Sequence, residues 1–234
     1  MIPAAKWVGS RSPRDTLLNF MPRNHLKRFA DLENLPNVFL GLDGAGKFDA
    51  AEFFGNTNPI ILELACGKGE YTVELARRFP ARNFIGIDRK GNRLWKGARI
   101  ALDEGLSNAA FFRLDVELIG EVFPENSVGE IWITFPDPYP KTKQAKKRMT
   151  SPLYLKTYKK ILKKDGLVHL KTDDPILFES TLKAADSEKM EIVSRISDVY
   201  GLAPLDDILV IKTQYERKFL ESAARIKYLC FRAG

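Results

Sequence analysis

Apolar residues along this chain follow two patterns in alternation. Continuous runs of strand length occur at Ile60 to Ala65, Asn83 to Ile87, Ala109 to Leu114, Val128 to Thr134 and Leu167 to Thr172. Between them, apolar residues recur every three or four positions, as at Thr72, Leu75, Ala76 and Phe79, or Leu94, Ala98, Ala101 and Leu102. A continuous run predicts a strand covered on both faces, and the three-to-four spacing predicts a helix lying on a sheet. Punctuation agrees: Cys66-Gly67-Lys68-Gly69 turns from strand to helix, Pro80 stops that helix, and Thr150-Ser151-Pro152 starts another that Asp165-Gly166 closes. After residue 173 the pattern predicts a helix from about Ile176 to Ala185 and a strand from Glu191 to Tyr200. A short helix opening on Thr213 and a last strand from Arg225 to Phe231 follow. Regular alternation of this kind predicts an α/β fold with a doubly wound, mostly parallel sheet.

The polar positions inside this pattern carry the chemistry. An acid lies within the first strand, Glu63, and acids close the next four: Asp88, Asp115, Asp137 and Asp173. In a parallel sheet those ends line one edge, where such folds place their ligands. Like charges gathered there cost free energy unless a partner meets them. The turn Glu63-Leu64-Ala65-Cys66-Gly67-Lys68-Gly69 lacks the third glycine of a dinucleotide-binding turn, and its carboxylate disfavours a phosphate. It suits a cationic ligand without phosphate, and S-adenosylmethionine has that chemistry. Asp88 would accept from its ribose hydroxyls and Asp115 from its adenine amino group. A dehydrogenase site is the alternative.

Three prolines in five residues, Pro136, Pro138 and Pro140, follow the fourth of these strands and hold Asp137 between them. Proline offers no N–H and fixes φ, so the ladder stops and the acid is locked in place. From Lys141 onward the chain turns basic, and from Lys143 to Lys164 no acid interrupts the cations. Such a surface would hold a polyanion through salt-dependent phosphate contacts. The alternative is a solvated lysine face. Across all 234 residues the formal net charge is +7, which favours an acidic partner. Residues 1–30 are also basic, and Gly41 to Gly46 form a glycine-rich loop. Cys66 and Cys230 stand far apart, and only His25 and His169 could join them. That composition argues against a disulfide framework or a metal site. No apolar stretch reaches the ~20 residues of a membrane span. We expect a cytoplasmic protein with a lead-in over residues 1–57 and a main domain over 58–234.

From about residue 58 to 232 the chain resembles the tRNA (guanine-N7-)-methyltransferase family. The resemblance rests on Glu63 to Gly69, Gly86-Ile87-Asp88, Phe135-Pro136-Asp137-Pro138-Tyr139-Pro140-Lys141, Lys171-Thr172-Asp173-Asp174 and Thr213-Gln214-Tyr215-Glu216. The proline block is its distinctive part. The resemblance implies a Rossmann-like, seven-stranded class I methyltransferase sheet with an antiparallel C-terminal strand. It implies S-adenosylmethionine as cofactor, bound by Glu63, Gly67, Gly69, Asp88, Asp115 and Asp137, with Asp137 also catalytic. It further implies tRNA as partner, with guanine 46 of the variable loop methylated at N7. Lys141, Asp173, Thr213, Gln214, Tyr215 and Glu216 would then bind the guanosine. Lys143, Lys146, Lys147 and Arg148 would contact RNA. The chain would act as a monomer or homodimer. The sequence departs from the family pattern at Ala65, where a glycine is usual, at Tyr139, where a tryptophan is usual, and at Gln214-Tyr215. Two rival readings are an exocyclic-amine methyltransferase, partly echoed by Asp137-Pro138-Tyr139, and an RNA-binding module without activity.

Overall fold

The computed structural model describes residues 28, 30–41, 47–201 and 207–233. The basic arm before residue 28, with His25, and most of the Gly41–Gly46 loop lie outside them. The described strands are β1 (Val38–Leu40), β2 (Ile60–Leu64), β3 (Asn83–Ile87), β4 (Ala109–Arg113), β5 (Val128–Thr134), β6 (Leu162–Thr172), β7 (Glu191–Ile196) and β8 (Lys227–Arg232). The helices are α1 (Ala50–Phe54), α2 (Glu70–Arg78), α3 (Gly91–Asp103), α4 (Ile119–Val122), α5 (Pro152–Ile161), α6 (Pro175–Ser187) and α7 (Gln214–Glu221). Short 3-10 segments occupy Val116–Leu118, Thr142–Lys147 and Val199–Gly201.

All eight strands form one sheet in the order β1-β4-β3-β2-β5-β6-β8-β7. Pairing is parallel from β1 to β6, and β8 runs antiparallel to both of its neighbours. This is the expected class I methyltransferase architecture, with eight strands where seven were expected. The additional strand is β1, whose three residues pair with Phe111 to Arg113 at the sheet edge. A three-residue strand carries too little periodicity to be read from sequence. Two other boundaries moved. The helix after Ser151 ends at Ile161, and β6 starts at once. The strand from Glu191 stops at Ile196, before the turn at Val199–Gly201. No helix among the described residues is long and apolar enough to cross a membrane.

Continuous apolar strands need cover on both faces, and both are covered. One face packs Leu62, Ile85, Phe112, Ile131 and Leu170 against α4, α5 and α6. The other packs Ile61, Phe84, Phe111 and Trp132 against α2 and α3. The chain runs outward from β2 through β3 to β4, then returns to β5 on the other side of β2. The reversal at β2 and β5 opens a crevice at their C-terminal ends. α3 sits very close to the turn after β2. A Cβ added to Gly97 would lie 2.7 Å from the Lys68 carbonyl oxygen, and one added to Gly69 would lie 2.6 Å from the Phe111 ring. Glycine at both places lets the helix and the turn touch.

Candidate active site

The crevice begins with Glu63. Its side chain shares the α2 face of β2, and its register partners are Gly86 on β3 and Trp132 on β5. The carboxylate is buried. One oxygen accepts from the Thr72 backbone N–H at 2.8 Å and from the Thr72 hydroxyl, and the other accepts from the Thr134 hydroxyl at 3.0 Å. Burial pushes Glu63 up to about 7, against the pull of these three donors. Glu63 therefore ties β2, the first turn of α2 and the end of β5 together beneath the glycine turn.

That turn is shaped by left-handed residues. Ala65 (φ 54°), Gly67 (58°) and Gly69 (67°) all have positive φ. Ala65, which replaces a glycine usual in the resembled family, carries the strain of a Cβ in that region. Asp88 braces the turn from β3. One of its oxygens accepts from the Gly67 N–H at 2.9 Å, and the other from the Lys90 N–H at 2.7 Å. Each oxygen keeps a lone pair for a further donor. Asp115 lies exposed after β4, free to accept from solvent or ligand. Cys66 is buried, and burial with Glu63 and Asp88 nearby drives its thiol well up, so it stays protonated and unreactive. The polar ligands here are acceptors on a turn with room for close backbone approach. They fit a cationic, hydroxyl-bearing ligand better than a phosphate.

Across the crevice, the proline segment leaves β5 through two strained residues. Phe135 (φ 50°) and Tyr139 (43°) both lie in the left-handed region that bulky side chains avoid. The Phe135 N–H donates to the Lys171 carbonyl at 2.9 Å, and its ring packs 5.6 Å from that of Phe219 on α7. Asp137 is exposed at the mouth. Arg148 holds the far side of the loop: its guanidinium donates to the Pro138 carbonyl at 3.1 Å and to the Tyr139 carbonyl at 2.9 and 3.2 Å. A fork of donors from one rigid group suits this task.

The third wall is α7. Thr213 caps it, accepting from the Glu216 N–H at 3.1 Å. Gln214 is latched to the glycine turn: Lys68 Nζ donates to its side-chain oxygen, and its N–H donates to Glu70 at 2.6 Å. Tyr215 is half exposed. Glu216 is 0% exposed and pairs with the equally buried Lys171 of β6, the ammonium lying 2.8 and 2.9 Å from its two oxygens. Lys171 also donates to the Leu209 and Ile211 carbonyls, and the Tyr200 hydroxyl donates to Glu216. Burial pulls the Lys171 ammonium below its usual range, and Glu216 opposes that pull. Asp173, half-buried at the end of β6, is raised by burial with Asp174 beside it.

Most of the expected residues thus share one sheet edge, in three groups: the β2 turn with Asp88 and Asp115, the proline loop with Asp137 and Lys141, and Asp173 with Thr213 to Tyr215. Three residues have other surroundings than expected. Glu63 is buried, its oxygens accepting from Thr72 and Thr134 beneath the turn rather than turned toward a ligand. Glu216 has no exposed atom with which to read a base, because Lys171 and Tyr200 occupy its oxygens. Arg148 is only 7% exposed, turned inward onto its own loop rather than outward to RNA. The long series of cations is also divided. The Ser151 hydroxyl donates to the Lys146 carbonyl at the start of α5, whereas Asn126 and Ser127, before β5, bond to the Lys160 and Ile161 carbonyls at its end. Lys160, Lys163 and Lys164 therefore sit at the sheet edge opposite Asp137, whereas Lys141, Lys143, Lys146, Lys147 and Arg148 belong to the segment that follows it. The sequence pattern assigns no side-chain role to Thr72, Thr134, Lys68, Glu70 or Lys171. Thr72 alone carried a signal, standing nine residues after Glu63 on the buried helix face.

Residues 57–229 match the model of a family described as "Putative methyltransferase". A tRNA (guanine-N(7)-)-methyltransferase of Bacteroides thetaiotaomicron is 43% identical over 91% of this chain and 86% of its own length. Among solved structures, the 16S rRNA methyltransferase KamB superposes with a TM-score of 0.60 at 15% identity, over 80% of this chain and 94% of that one. The 16S rRNA (adenine(1408)-N(1))-methyltransferase from Catenulisporales acidiphilia, solved with its cosubstrate SAM, superposes with a TM-score of 0.55 at 14% identity, over 78% and 88%. At these identities the two structures are similar in fold alone.

Proposed function

The chain belongs to the tRNA (guanine-N(7)-)-methyltransferase family, and we propose that it transfers a methyl group from S-adenosylmethionine to N7 of guanine 46 in the variable loop of tRNA. The observation that carries this reading is Asp137: an exposed carboxylate, fixed by prolines at the end of β5, across the crevice from the glycine turn of β2. Residues 58–234 are the methyltransferase domain, and residues 1–57 are a basic arm and lead-in.

S-adenosylmethionine would supply an electrophilic methyl on a sulfonium, with a neutral thioether as the leaving group. The turn with Gly67 and Gly69 lets the backbone approach it, and Glu63 serves by fixing that turn. Asp88 would accept from ribose hydroxyls with its remaining lone pairs, and Asp115 would accept from the adenine amino group. Guanine N7 already carries a free lone pair, so no strong base is required. Positioning supplies much of the acceleration. Asp137 adds to it, because a fixed carboxylate favours the positive charge that the purine acquires. Lys141, Asp173, Thr213, Gln214 and Tyr215 frame the guanosine, and Glu216 with Lys171 anchors that frame. Lys143, Lys146 and Lys147 contact RNA phosphates, and Arg148 keeps the Asp137 loop in shape.

The test is direct. Unmodified tRNA is incubated with the protein and methyl-labelled S-adenosylmethionine, then digested and mapped. Label on N7 of guanine 46 is expected. Label on an exocyclic amine or on ribose, or no label, overturns the reading.

A further inference from the structure

Beside the proline loop, a groove of about 370 Å³ separates the Thr142–Lys147 segment from α6. Lys146 and Arg148 line one side, and Ser180, Lys183 and Ser187 line the other. The three α6 residues fall on one helical face by their spacing. The buried Thr150 and Thr181 hydroxyls join the two sides at 2.6 Å.

The charge of this groove is unbalanced. No carboxylate lines it. Arg148 is buried against two carbonyls, and among the described residues no acid forms an ion pair with it. A buried cation without a counter-charge is costly, and a bound anion relieves it. Lys146 and Lys183 are exposed beside it. Of the acids on α6 and just beyond it, Glu179 lies 3.2 Å from Arg195 and Glu188 lies 3.8 Å from Lys156, while Asp186 is exposed beside Ser187 but does not line the groove. Two exposed cations, Lys146 and Lys183, on either side of a groove with hydroxyls on its walls suit a phosphodiester. Lys146 belongs to the segment assigned above to RNA, so the groove continues that surface away from Asp137.

We propose that this groove seats a backbone phosphate of the tRNA and carries the RNA footprint from the Thr142–Lys147 segment onto α6, with Lys183 as its outer cation. The assignment rests on the tRNA reading of the site. It adds Lys183, which lies 35 positions beyond the end of the basic run, counting from Arg148.

The experiment measures binding apart from methyl transfer. Fluorescence anisotropy follows unmodified, labelled tRNA against the full chain over a range of sodium chloride. Lys183→Glu is compared with Lys164→Glu, which makes the same charge change at the opposite sheet edge. Lys183→Glu should weaken binding several-fold and make the log–log salt slope shallower by about one. Lys164→Glu should change neither. An equal loss in both variants would mean a general charge effect and would overturn the assignment, as would an unaltered slope in Lys183→Glu. Calorimetry with inorganic phosphate supplies the second arm. Saturable phosphate binding that Lys183→Glu abolishes, with tRNA affinity unaltered, would give the groove to a small anion and overturn the RNA role. If the wild-type chain binds tRNA but transfers no methyl, the reading of the active site fails while the groove is still judged by affinity and slope.

Discussion

Asp137 owes its place to the backbone: prolines stand on either side, and Phe135 and Tyr139 are held in left-handed conformations. Its role in charge stabilisation is tested by Asp137→Asn, which keeps the shape and removes the charge. Single-turnover methyl transfer should fall on the order of 10²-fold, and an unchanged rate would remove the carboxylate from the mechanism. Glu63 makes a different prediction. Its folded pKa is raised from 4.5 to about 7, so the folded protein binds a proton that the unfolded chain releases. Stability linked to this group is therefore fully present below about pH 4.5 and is lost as pH rises to about 7. The full shift corresponds to roughly 3 kcal/mol. Glu63→Gln, which stays neutral, should flatten that part of the stability–pH curve in urea denaturation. A wild-type curve already flat between pH 5 and 7 would contradict this, in the range set by the two pKa values. The acids were legible in the sequence because they stand at strand ends, and strand ends can be read from apolar runs. Which of them faces solvent was not legible. Glu216 follows a plausible surface motif, and its partner Lys171 lies 45 residues earlier on another element.

At the scale of elements, the site is three segments joined by side chains from outside the recognisable motifs. Arg148 fixes the proline loop through its fork, so Arg148→Lys keeps the charge and loses the geometry. The turnover number should drop about tenfold, with the salt slope of tRNA affinity unaltered because the charge remains. Lys147→Ala should instead make that slope shallower by about one. If Arg148→Lys left turnover intact, the fork would not be what shapes the Asp137 loop. The buried pair between β6 and α7 predicts a stability effect. Glu216→Gln strands the Lys171 ammonium and should cost about 3–5 kcal/mol in chemical denaturation. Replacing both, as Lys171→Met with Glu216→Leu, should recover most of that loss. If the double variant were as unstable as the single one, the pair would not be the source. Sequence reading gave the strands and helices because each announces itself by its own period. It missed these joints because they are tertiary: a lysine on a strand and a glutamate on a distant helix share no local pattern.

The whole molecule divides its charge. A net +7 and a stretch without acids from Lys143 to Lys164 suggest one continuous basic surface. α5, ten residues and so about 15 Å long, instead carries the chain from the Asp137 edge to the opposite one. Neutralising Lys160, Lys163 and Lys164 together to Gln should leave tRNA affinity at moderate salt within about twofold, since exposed charges beyond a Debye length of ~10 Å are screened. A loss of tenfold or more would mean that RNA wraps the far edge too. The sheet order has a consequence for how the protein is made. β8 lies between β6 and β7, and among the described strands β7 pairs with no other. During synthesis, β7 leaves the ribosome with no place in the sheet, and it waits while about thirty further residues are translated, Ser197 to Ile226. Ile192 and Val193, apolar and still half exposed in the finished fold, are uncovered throughout that interval. The newborn chain is therefore most vulnerable to a wrong partner in this late window, after its parallel sheet could already have formed.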